Sequence, residues 1–191
     1  MVQRIVRISA IAALYSACTV VVMLFLGWFS WGPVQLRISE ALTVLALITP
    51  DAIGGLGLGC AIANIINIPL SGVGTLGLLD VVFGTLATVL GACFAWHFRE
   101  NPTLAVAGPV ITNGLIVPAY LPLMLKGMGF YTIPFTSISL DGSYPAMYAF
   151  GLVATSIGEA AVMYILGLPL YRALEKSPVA EMLAEPKGAI A

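Results

Sequence analysis

Residues 36–68 read LRISEALTVLALITPDAIGGLGLGCAIANIINI, and the reading of this stretch decides the fold. It is apolar almost throughout, yet Pro50-Asp51 cuts it in two. Neither half reaches the roughly 20 residues that a helix needs to cross a hydrocarbon core. At helical rise the first half covers only about 20 Å. It is either a short, tilted helix or one arm of a re-entrant hairpin. Short or Pro/Gly-interrupted apolar segments of this kind often border binding sites in membrane transporters. The second half carries Gly55, Gly59 and Ala63 at four-residue spacing. Such a small-residue face lets two helices approach closely.

Outward from this stretch the chain is a series of apolar runs. Residues 5–27 form the first. Arg4 and Arg7 precede it, and the residues before Cys18 brush against a lipoprotein cleavage pattern, with Tyr15 where that pattern prefers Leu. The run continues unbroken to Phe29, which favours a retained first helix over a cleaved leader. Residues 28–35, WFSWGPVQ, make a turn whose Trp28 and Trp31 suit a membrane interface. A Gly-rich connector over 69–77 leads to a run at 78–98. The polar turn HFRENP follows, then a run at 103–125 containing Pro109 and Pro118. A loop at 126–143, long enough to fold over a site, precedes the last run at 144–170. The expectation is an all-α integral membrane protein: a six-transmembrane-helix bundle over 1–171, with helices at about 5–27, 36–49, 51–68, 78–98, 103–125 and 144–170. Residues 172–191 form a polar tail.

Composition agrees. Of 191 residues, 60% are hydrophobic and 9% charged, against about 25% charged in soluble domains. The net charge of -1 gives no field for nucleic acid. Cys18, Cys60 and Cys93 read as small packing residues. His97, the single histidine, sits in the polar turn as a solvated residue and not as a metal ligand. With both ends cytoplasmic, Arg4, Arg7, Arg99, Arg172, Lys176 and Lys187 fall on the cytoplasmic side of the cell membrane and Arg37 and Lys126 on the outer side, as the positive-inside rule requires.

Ionisable groups within a bilayer cost about 2.5–3.5 kcal/mol each on insertion scales, so the few present are the candidates for function. Glu159 lies mid-way along the last run, with Thr155 and Ser156 one turn before it on the same face. Arg37 and Glu40 are three residues apart, which suits either a local ion pair or a shared site. Asn113 lies between two prolines, with Tyr120 seven residues on. Asp51 and Asp80 read as helix caps. Trp28 and Trp31 are interface anchors that also offer a ring face. There is no Ser/His/Asp set, no metal-binding His pair and no GxxxxGK[ST] phosphate loop. The expectation is a non-enzyme that cannot hydrolyse ATP itself.

Three stretches carry a resemblance. Gln35-Leu36-Arg37-Ile38-Ser39-Glu40-Ala41-Leu42-Thr43 resembles the signature of the QueT family of queuosine-precursor transporters. So do Leu78-Leu79-Asp80-Val81-Val82-Phe83-Gly84-Thr85-Leu86-Ala87-Thr88 and Gly158-Glu159 with Tyr164-Ile165-Leu166-Gly167-Leu168-Pro169-Leu170. The resemblance runs from the first helix to Leu170. It implies the substrate-binding S component of an energy-coupling factor (ECF) importer, which topples in the membrane to release its load. It implies an EcfT-type transmembrane coupling subunit and two cytoplasmic ATPases as partners, with no cofactor of its own. Ala13 and Ala17 match the family's AxxxA docking pattern. The implied substrate is a 7-deazaguanine base. Glu159 and Glu40 would divide its ring-edge N–H groups and any aminomethyl cation, Arg37 or Asn113 would serve the ring oxygen, and Trp28 or Trp31 would cover the ring. Tyr120 and Thr155 complete the candidate set. An S component for another vitamin or nucleobase, and a stand-alone secondary transporter of a small polar solute, remain as alternatives.

Overall fold

The computed structural model describes residues 1–27, 32, 35–126, 131–133 and 135–183. Among these, five helices are long and apolar enough to cross a membrane: α1 (Val2–Leu26), α2 (Asp51–Ser71), α3 (Gly74–His97), α4 (Pro102–Leu125) and α5 (Tyr144–Glu175). A shorter helix, α6 (Pro178–Leu183), follows. No β-strand is present among the described residues. The outer faces carry exposed Val6, Leu24, Phe25, Leu58, Ile65, Leu123 and Ile157, the surface that lipid would cover.

The expected second span differs from the other five. Over residues 36–49 the structure has a 3-10 helix of only ten residues, Ile38–Leu47. Its winding has a consequence. Ten residues reach about 20 Å at 3-10 rise, against about 15 Å as an α-helix. The segment also lies inside the bundle: Glu40, Ala41, Thr43, Val44, Leu45, Ala46 and Leu47 are all buried.

The direction of this segment follows from its neighbours. Helices α1 and α2 run parallel. Gly54 faces Ile8, Gly55 faces Ile11, and Gly59 faces Ala12 and Tyr15. A Cβ on Gly55 would stand 2.7 Å from Ile11, and one on Gly59 2.8 Å from the Ala12 carbonyl, so the small-residue face is what permits this approach. At the start of both helices, Arg4 and Arg7 close on Asp51 at 2.8 and 2.7 Å. The 3-10 helix runs the other way, with Ser39 against Thr19 and Glu40 against Tyr15. It therefore carries the chain from the Leu26 end of α1 back to the end where α1 begins. A re-entrant arm would return to the end it left. Helices α3, α4 and α5 then alternate in direction, with Gly91 against Pro109 and Gly151 against Pro118.

The other limits shift outward. Helix α2 continues through Pro69 to Ser71, and α3 begins at Gly74, so most of the expected Gly-rich connector is helical. Helix α5 runs on to Glu175, and α6 adds a further turn and a half. Two π-helical turns interrupt the spans, Asp80–Gly84 in α3 and Val162–Gly167 in α5. Each widens the winding locally by about one residue. One opens on Asp80 and the other begins just after Glu159.

Candidate functional site

The interior of the bundle holds a polar network built from five elements. Glu40, fully buried on the 3-10 helix, is its first centre. It accepts from the Tyr15 hydroxyl of α1 through Oε1. Thr88 of α3 donates to the same oxygen at 3.1 Å, and Thr43 donates to Oε2 at 3.2 Å. The last contact is a product of the winding, because residues three apart are eclipsed in a 3-10 helix. Asp80 is the second centre. Arg37 Nη2 donates to its two oxygens at 3.3 and 3.0 Å. The Tyr120 hydroxyl of α4 donates to Oδ1, and Asn64 of α2 donates to the Asp80 carbonyl at 2.8 Å. Cys60 bridges the two centres, with Thr88 at 3.4 Å and Asn64 at 3.5 Å from its Sγ. Glycine at position 84 leaves the room: a Cβ there would stand 2.6 Å from Asp80 Oδ1 and 3.1 Å from the Tyr120 hydroxyl.

Beside this satisfied network lies a set of buried polar atoms with no hydrogen-bond partner among the described residues. They are Glu159 Oε2, both amide atoms of Asn113, Arg37 Nε and Gln35 Nε2; Asn67 Oδ1, Thr85 Oγ1 and the Tyr131 hydroxyl also lack one. Asn113 and Glu159 are 1% and 3% exposed. Packing sets their positions at neighbouring levels of the bundle. Glu159 lies within electrostatic reach of Glu40 and Arg37. A methyl group on Gly158 would collide with the Gln35 carbonyl, so the strand of chain leading into the 3-10 helix presses on α5 beside Glu159. Gly114, next to Asn113, packs on Ser156, three residues before Glu159. Each unsatisfied buried group costs about 1–3 kcal/mol. Buried polar groups in folded proteins are nearly always paired, so a cluster of such atoms calls for an occupant. Acceptors (Glu159, Asn113) and donors (Arg37, Gln35, Asn113) together match a planar heterocycle whose edge alternates N–H and C=O.

Several sequence expectations change here. Arg37 and Glu40 do not pair with each other: Arg37 pairs with Asp80 of α3, and Glu40 takes hydroxyl donors. Asp80 is therefore not a cap but the anchor of Arg37 and Tyr120. Asp51 is not a cap either, since it holds α1 through Arg4 and Arg7. Thr155 is fully buried one turn before Glu159. Ala13 and Ala17 sit on the exposed side of α1. Trp28 and Trp31 lie outside the described residues. The sequence reading passed over Gln35, Tyr15, Asn64 and Thr88. Asn64 was detectable, as an amide placed mid-way along an apolar run, and Gln35 as the first residue of the most specific motif.

The loop between α4 and α5 folds back on itself. Thr132 and Ser139 form an antiparallel bridge, and Leu140 N donates to the Tyr131 carbonyl at 2.7 Å. Tyr131 is fully buried in a cluster with Tyr120, Leu121, Met124 and Met147, its ring edge-on to Phe150 at 6.5 Å. Burial pushes its phenol above the usual range, so it stays a donor. The loop thus caps the bundle end where Tyr120 lies. No group of three potential metal ligands occurs among the described residues.

Comparison with known proteins is consistent with these features. The profile of a family described as the QueT transporter matches residues 5–176. A curated protein of Lactococcus lactis subsp. cremoris (strain MG1363), named Queuosine precursor transporter QueT, is 28% identical over 167 residues. The match covers 84% of this chain and 86% of that one. No solved structure matches.

Proposed function

This chain belongs to the QueT transporter family, and from that premise we propose that it is the substrate-binding S component of an ECF importer for a queuosine precursor. The ligand is a 7-deazaguanine base. The observation that carries this reading is the cluster of unpartnered buried atoms on Glu159, Asn113, Arg37 and Gln35. Glu159 accepts ring N–H groups or an attached amine, a charge-assisted contact that is short and strong. Asn113, with a free donor and a free acceptor, reads the ring amide. Arg37, held by Asp80, offers Nε to the ring oxygen. Glu40, already saturated by three hydroxyls, fixes the 3-10 helix and adds negative potential. Tyr120 braces Asp80, and Thr155 supports Glu159.

The short segment supports a six-segment topology. It runs counter to α1 and α2, so the chain changes ends six times with five long helices and one short one, and both termini lie on the cytoplasmic side of the cell membrane. Energy comes from outside this chain. Its sequence has no phosphate loop, and the family resemblance supplies the partners in this reading: two cytoplasmic ATPases and an EcfT-type coupling subunit drive uptake. The outward Ala13 and Ala17 offer that subunit a flat face on α1. The chain performs no catalysis and needs no cofactor.

Uptake of a labelled 7-deazaguanine base by cells tests the assembly. Cells expressing this chain with a coupling module accumulate label, and cells expressing this chain alone do not. Accumulation without any coupling module, driven by an ion gradient, would move the chain to the secondary transporters.

A further inference from the structure

We infer that the groove between α1, the 3-10 helix and the end of α5 holds one acyl chain of an anionic phospholipid, with the lipid's phosphate on Arg4 and Arg7. The groove has a volume of about 350 Å³ and follows α1 from Val6 to Leu14, a length of about 12 Å. Its walls offer apolar side chains one turn apart: Ala10 and Leu14 on α1, Leu170 and Leu174 on α5, Val179 and Leu183 on α6. The 3-10 helix backs it, and Arg7 is the one polar residue among the described residues that line it. A cavity of this make-up stays dry, and a polar solute would find no partner along its length. A helix from another protein, about 10 Å across with its side chains, is far too thick for that volume. A single hydrocarbon chain fits.

Charge at the mouth of the groove selects the headgroup. Arg4 and Arg7 both close on Asp51, so two cations share one anion. Arg172 and Lys176, at the same end of the bundle, are matched in number by Glu175 and Glu181. The surplus of positive charge therefore rests with the two arginines. The Arg4 side chain is 66% exposed, and a guanidinium has five N–H donors, of which Asp51 takes few. A lipid phosphate on these donors balances the charge through strong, charge-assisted bonds. Basic pockets between membrane helices on the cytoplasmic side take anionic headgroups in this way, and this is the cytoplasmic end in the topology proposed above. The groove also borders the face of α1 that carries Ala13 and Ala17, since Ala10 and Leu14 lie three and four residues from them. An acyl chain in the groove levels the concave part of that face.

Native mass spectrometry of the purified full chain, released from detergent micelles that contain lipid, tests this. The probes are dioleoylphosphatidylglycerol and dioleoylphosphatidylcholine, which share their acyl chains and differ in net charge. One phosphatidylglycerol is expected on each chain, with an affinity at least about fivefold above that of phosphatidylcholine, the effect of one surplus cation near a lipid surface. Arg4→Gln abolishes the preference while Arg7 keeps Asp51 paired, and Arg4→Lys restores it. Ala10→Phe, at an exposed position of α1, fills the groove and removes bound lipid of both kinds. Should that variant fail to fold, Val179→Asp sets a charge on the opposite wall with the same result. Equal retention of the two lipids by the wild type, or lipid retained undiminished by both groove variants, overturns the inference. So does a groove variant that keeps its lipid but no longer co-purifies with the coupling subunit, which would give the groove to that subunit. No queuosine precursor enters the experiment, so its failure leaves the proposed function as it stands.

Discussion

Asp80 is the residue on which the site depends most, although its own atoms are all in use. It orients Arg37, so that Nη2 is engaged and Nε stays free, and it receives the Tyr120 hydroxyl. Asp80→Asn keeps the shape and removes the charge. Breaking a buried ion pair by removing one partner costs about 3–5 kcal/mol, because the other charge is left uncompensated. Thermal unfolding in detergent is expected to register a loss of that order, together with weaker ligand binding. A variant as stable as the wild type would mean that Arg37 finds another partner. The sequence had Glu159 and Asn113 in view, because a polar group in an apolar run is visible without a structure. Asp80 was misread as a cap. It stands 43 positions from Arg37, while Glu40 stands three away, and proximity in sequence favoured the wrong partner.

At the scale of elements, the five long helices were legible because hydropathy over 20 residues is a strong signal. The form of the short segment was not. Over ten residues the two windings part by about half a turn, but a segment buried almost throughout carries no polar face to report it, and a single π turn leaves no mark on composition. What holds the short helix in place is legible in the glycines. Gly59 allows Tyr15 close enough to donate to Glu40. Gly59→Val forces α1 away from α2, and overpacking of this kind costs about 1–3 kcal/mol. Melting temperature and ligand affinity are expected to fall together. Gly54→Ala is the matched control, since its Cβ would sit 3.8 Å from Ile8, an ordinary contact. If Gly59→Val binds ligand as the wild type does, the Tyr15–Glu40 contact has no part in shaping the site.

For the molecule as a whole, the reading separates two surfaces: an interior that binds and an α1 face that docks. Ala13→Leu with Ala17→Leu adds bulk on the exposed side of α1 and touches no residue of the polar network. Such a protein is expected to bind ligand normally and to lose most uptake when expressed with a coupling module. Normal uptake would place the docking face elsewhere. The central claim is that this chain, by itself, binds a 7-deazaguanine base at Glu159. Isothermal titration of the purified wild type and of Glu159→Gln, without partners or ATP, tests it most directly. The account predicts one site per chain in the wild type and affinity lowered at least about tenfold in the variant, the smaller end of what a charged hydrogen bond contributes. Absence of binding by the folded wild type, or undiminished binding by Glu159→Gln, would contradict it.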